Sequence, residues 1–100
     1  MAKMIVLYGQ PEDPAKFEDY YANQHIPYAT EHVPNVTGAE NLRVIGTPGG
    51  ETPLYYRISQ LSHASADAMR EALATDDGKA VLADLDNFAT GGATVLLADD

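Results

Sequence analysis

Lys3-Met4-Ile5-Val6-Leu7-Tyr8, closed by Gly9-Gln10-Pro11, is the stretch on which the fold turns. Branched and large side chains ending at a glycine and proline cluster read as a β-strand followed by a turn. Successive side chains of a strand point to opposite faces, so Met4, Val6 and Tyr8 share one face and Ile5 and Leu7 the other. Both faces are apolar, and a soluble chain has to cover both.

Downstream, Asp13 before Pro14 is a cap followed by a first-turn proline, and Phe17, Tyr20, Tyr21, Gln24, Tyr28 and His32 recur at steps of three and four. This predicts a first helix. Pro27 lacks an amide hydrogen and disfavours the helical region for Ile26, so the helix is expected to kink or restart there and to end before Pro34. Val36 to Thr47 and Leu54 to Leu61, separated by a turn at Pro48-Gly49-Gly50, read as a hairpin. Ser65 caps a second helix with Ala66, Met69 and Leu73 on one face; Thr75-Asp76-Asp77-Gly78 interrupts it as a capping turn, and Val81, Leu85 and Phe88 resume the period. A last strand runs from Ala93 to Ala98.

The order β-α-β-β-α-β defines an α+β, ferredoxin-like domain over residues 1–100, with a four-stranded antiparallel sheet and two helices on one face. The last strand falls at a sheet edge and, like the first, is apolar on both sides. Two helices cover one face only. The other is expected to meet a second copy, sheet against sheet, as a homodimer.

A formal charge of −9, from 15 acidic against 6 basic residues scattered along the chain, argues against nucleic acid and anionic membrane surfaces as partners. The chain has no cysteine, which removes disulfides, thiolate metal sites and a thiol nucleophile, and it has no run of about 20 apolar residues. The cytoplasm is the expected compartment.

Phe17, Tyr21 and His25 are spaced i, i+4, i+8, which sets two aromatics and an imidazole along one helix face. Imidazole is the side chain best suited to move a proton near neutral pH, and a neighbouring tyrosine can orient it or hold a ligand oxygen. Two readings stand: His25 satisfies its own hydrogen bonds beside the Pro27 kink, or it serves a ligand or a reaction. The six tyrosines gather on the first strand, first helix and third strand, which suits either a small-molecule pocket or a dimer interface. On the pocket reading, His25 and Tyr21 are the expected catalytic pair, and Tyr8, Phe17, Tyr28 and Tyr56 the expected contacts of a small organic ligand. His32 and His63 read as surface residues. His25, Glu31 and His32 lack a chelating spacing, so no metal is expected.

The opening Ile5-Val6-Leu7-Tyr8, the pattern Phe17-x-x-Tyr20-Tyr21-x-x-x-His25-x-Pro27 and the late Ala83-Asp84-Leu85-Asp86-Asn87-Phe88-Ala89 together resemble the EthD-like proteins of the dimeric α+β barrel superfamily. The resemblance spans nearly the whole chain. It implies a ferredoxin-like protomer, a homodimer with facing sheets, and a cleft between each sheet and its helices. Short members of that family are often described as reductases, and the superfamily holds cofactor-free monooxygenases, lactone isomerases, polyketide cyclases and haem enzymes, so fold alone does not choose a reaction. With nothing beyond one imidazole to signal haem, no cofactor is expected. The resemblance supports His25 as acid or base with a tyrosine on the developing oxyanion, in an oxidoreductase or cofactor-free enzyme acting on an aromatic, ether-like or polyketide-type compound. A non-catalytic binding or accessory module is the alternative.

Overall fold

The computed structural model describes residues 1–100 and realises the β-α-β-β-α-β order. β1 (Ala2–Gly9) lies at the centre of an antiparallel sheet ordered β2-β3-β1-β4, with β2 spanning Gly38–Arg43, β3 Tyr55–His63 and β4 Ala93–Asp99. The hairpin strands are displaced from the expected ranges: β2 is shorter at both ends, and β3 runs two residues further. β2 and β4 form the edges, as a split βαβ topology requires.

The alternation read in β1 is realised residue by residue. Ala2, Met4, Val6 and Tyr8 are buried, while Lys3, Ile5 and Leu7 are half-buried on the opposite face. Above the buried face pack Phe17, Tyr21, Met69, Leu85 and Phe88. The Tyr8 ring meets Phe17 and Tyr21 edge-on at centroid distances of 5.3 and 5.5 Å, the arrangement that matches ring edge to ring face.

The first helical run is continuous rather than kinked at the proline. α1 (Pro14–Tyr20) starts where the Asp13 carboxylate accepts from the amides of Ala15 and Lys16, and α2 (Ile26–His32) carries Pro27 in its first turn. Between them Tyr21–His25 form a π-helical turn, with the Ile26 amide donating to the Tyr21 carbonyl five residues back. Pro27 has no amide to donate, so the irregularity is absorbed one turn earlier than expected. The wide turn brings Tyr21 and His25 into near-parallel stacking, 6.2 Å apart and inclined by 15°.

The second helical run divides into α3 (Ala66–Ala74), capped by the Ser65 hydroxyl, and α4 (Asp76–Ala83), followed by a 3-10 turn at Asp84–Asn87. Thr75 makes the break. Its hydroxyl donates to the Ala72 carbonyl at 2.7 Å and accepts from the Gly78 amide at 3.0 Å. Asp76-Asp77-Gly78 is thus the first turn of a helix, and Thr75 alone is its cap. A Cβ on Gly78 would stand 2.2 Å from the Ala72 carbonyl oxygen, so the corner closes only around glycine.

Register shifts between Tyr8 and Gly9, where Tyr8 faces Arg57 and Gly9 faces Tyr55. This bulge leaves Tyr56 unpaired and lets two consecutive side chains, Tyr56 and Arg57, turn toward α1. There the Glu18 carboxylate accepts from the Tyr56 hydroxyl at 2.8 Å and from the Arg57 guanidinium at 2.9 Å.

Candidate functional site

The sheet and the helices enclose a cleft under α2 and α4. Its walls are mostly apolar, with Val6, Ile26, Leu61 and Leu85 among them, and five polar side chains interrupt them: Tyr8, His25, Thr30, Asn41 and Ser59. The empty space is about 510 Å³ with its open mouth included. An apolar recess with a few directed polar groups is the ordinary form of a small-molecule site.

His25 enters from the π turn and is 7% exposed. Its Nδ1 lies 2.8 Å from Oδ2 of Asp84, itself 9% exposed and 59 residues away along the chain. The other oxygen of Asp84 accepts from the Tyr20 hydroxyl at 2.6 Å and from the Asn87 amide at 2.9 Å. Burial pushes the Asp84 carboxyl upward, but the hydrogen bonds from Tyr20, Asn87 and His25 outweigh it and hold the group below the ordinary carboxylate value. Asp84 is therefore a carboxylate at neutral pH, and the proton shared with His25 sits on Nδ1. In the neutral ring, Nε2 is then the nitrogen with a lone pair.

Tyr21 lies outside the lining. Its hydroxyl contacts Oγ of Ser59 and donates to Oδ1 of Asn41 at 2.8 Å, and the Ser59 hydroxyl reaches the same Oδ1 at 3.0 Å. Arg57 lies over the Tyr21 ring, 4.9 Å from its centre. Burial raises the Tyr21 phenol above its usual value, partly offset by Ser59 and Arg57.

Of the residues singled out from sequence, the structure brings His25 and Tyr8 to the cleft and sets Tyr21 directly behind it. Phe17 is in the aromatic core, Tyr56 is bound to Glu18, and Tyr28 packs edge-on against His32 at 4.6 Å beside Val33, Ala72 and Val81. None of those three lines the cleft. His32 is partly exposed, near Glu31 and Asp77. His63 overturns the surface reading: it is fully buried opposite Ala2, and neither ring nitrogen has a hydrogen-bond partner. Lying at the far end of β3, it takes the inward direction through strand alternation with Leu61 and Ser59.

Asp84, Asn41 and Ser59 escaped sequence reading. Asp84 stood inside the Ala83–Ala89 segment that carries the family resemblance, and its position three residues after Val81 and four before Phe88, on their helical face, was the signal available. Asn41 and Ser59 face each other across β2 and β3, which only the strand register reveals.

The sequence pattern of the EthD domain matches residues 9–92. Over 100 residues the chain is 31% identical to an uncharacterised 11.0 kDa protein of the thcB-thcC intergenic region of Rhodococcus erythropolis, covering all of this chain and 95% of that one. The crystal structure of an ethyl tert-butyl ether D (EthD) family protein from Bacillus halodurans superposes with a TM-score of 0.90 at 32% identity, over 100% of this chain and 98% of the other. At 17% identity, SnoaB, a cofactor-independent oxygenase from Streptomyces nogalater, shares the fold with a TM-score of 0.66, over 99% and 91% of the two chains.

Proposed function

The chain belongs to the EthD domain family, and we propose that it is a cofactor-free enzyme in which His25, oriented by Asp84, takes a proton from an apolar organic compound held in the cleft. The observation that supports this is the pairing of His25 with a buried carboxylate at the wall of an otherwise apolar recess. A histidine that only satisfied itself at a kink would not need a carboxylate anchored by two further donors. Asp84 is a positioning residue: it keeps the proton on Nδ1, so Nε2 can accept one from a weakly acidic C–H or O–H.

Proton loss leaves an electron-rich centre, the state in which a carbon compound is readied for oxidation. This is where an oxidoreductase role enters, and the shared fold with an oxygenase that works without a cofactor is compatible with it. Aromatic and polyketide-type compounds suit the walls. The cysteine-free composition agrees with a reducing, cytoplasmic setting.

We also propose a homodimer. The sheet face away from the helices carries Ile5, Leu7, Leu42, Ile58 and Leu96, with Leu42 47% and Leu96 48% exposed. A second copy of the same face would cover this apolar surface.

Solvent deuterium uptake at the acidic carbon of β-tetralone, followed by NMR, tests the enzyme reading. Wild type should accelerate exchange, and His25→Ala should lower the rate about 10²- to 10⁴-fold while the fold persists. Exchange unchanged in His25→Ala would reject His25 as the base; saturable binding with no exchange would leave a binding module.

A further inference from the structure

Besides Nε2 of His25, the cleft contains a buried hydroxyl that the chain itself leaves unanswered. Tyr8 is only 1% exposed, yet none of the chain's side-chain hydrogen bonds is made by its hydroxyl; the one hydroxyl that acts on it, that of Ser59, is engaged by Tyr21 and Asn41. Buried polar atoms are paired in the great majority of cases, and one left over calls for a reason. The ring nitrogens of His63 are the only side-chain atoms that are both sealed from solvent and unpartnered, so the Tyr8 hydroxyl is not sealed: its remaining surface opens onto the cleft it lines.

Tyr8 and Tyr21 thereby divide the roles that one tyrosine was expected to fill. The Tyr21 hydroxyl is committed to Ser59 and Asn41 and is absent from the lining. Tyr8 has a free O–H, and its phenol is pushed well above the usual value, chiefly by burial, so that it remains a donor.

We infer that the Tyr8 hydroxyl is the donor for a ligand oxygen, and that the cleft takes apolar compounds bearing a carbonyl group. This rests on the proton-abstraction reading and narrows it. Nε2 of His25 takes a proton from the carbon next to the carbonyl; the C–H electron pair becomes the C=C bond of an enolate, and the carbonyl π pair moves to oxygen. The Tyr8 hydroxyl donates to that oxygen as its charge grows, so Tyr8 stabilises the transition state more than the ground state. Return of a proton to carbon restores the compound.

Two probes of the same shape, β-tetralone and its hydrocarbon analogue tetralin, separate oxygen recognition from burial of the rings. Wild type should bind β-tetralone about five- to tenfold more tightly than tetralin, the worth of one neutral hydrogen bond. Tyr8→Phe removes only an unpartnered hydroxyl, so the ligand-free variant should be at least as stable as wild type, bind both probes alike and lose most deuterium exchange. A preference that survives in Tyr8→Phe, no preference in wild type, or no detectable β-tetralone binding would overturn the inference, as would a ligand-free variant clearly less stable than wild type. His25→Ala distinguishes the two readings. If it keeps the preference while wild type shows no exchange, oxygen recognition by Tyr8 stands and the base does not; if exchange depends on His25 while Tyr8→Phe still prefers the ketone, the base stands and Tyr8 does not.

Discussion

The Asp84 carboxylate accepts from Tyr20, His25 and Asn87, and its neighbours hold its pKa down in the folded chain only. A carboxyl depressed on folding adds stability that is complete above its unfolded value, near 4, and is lost as pH falls through the folded value. His63 works on a higher range. Burial lowers its pKa below the ordinary 6.5, so the unfolded chain takes up a proton that the folded chain resists. Its contribution is intact above about pH 6.5 and declines as pH falls below it. Denaturant midpoints between pH 7.5 and 5.5 should therefore decrease in wild type and flatten in His63→Phe; an equal decrease in both would show that His63 takes up its proton alike in the folded and the unfolded chain. Sequence reading placed His63 at the surface because its polar neighbours, Ser62 and Ser65, dominate locally, whereas its direction follows from the pairing with Ala2 across the sheet.

At the scale of elements, local patterns carried the strands and helices, and contacts across the chain did not show. Two-faced apolarity was legible in β1 because a strand's period is two, and the Phe17, Tyr21, His25 face was legible because helical neighbours are four apart. The π turn was missed because Pro27 marks a defect without saying which turn absorbs it. The bulge was missed too, since nothing local to Tyr56 reveals its unpaired place opposite the Tyr8–Gly9 step. The Thr75 corner offers a direct check on element packing. Gly78→Ala drives a methyl against the Ala72 carbonyl and should cost about 1–3 kcal/mol in chemical denaturation, the usual penalty of overpacking. A neutral result would mean that α3 and α4 can part without loss.

On the scale of the molecule, one sheet serves two purposes: its inner face builds the cleft, and its outer face offers an apolar surface to a second copy. Leu96→Lys puts a charge on that outer face, beside Ile5. Light scattering should find a dimer for wild type and a monomer for the variant; a wild-type monomer would reject sheet-to-sheet pairing. The cleft, by contrast, depends on the whole chain, because His25 and Asp84 meet only when the π turn and the turn after α4 close over β1. Nothing selects the His25 tautomer before they meet. Nitrogen NMR of the folded protein, with Asp84→Asn beside it, measures that selection directly. The proton should reside on Nδ1 in wild type, leaving Nε2 bare for a substrate, and Asp84→Asn should shift it; a wild-type proton on Nε2 would contradict His25 as the base.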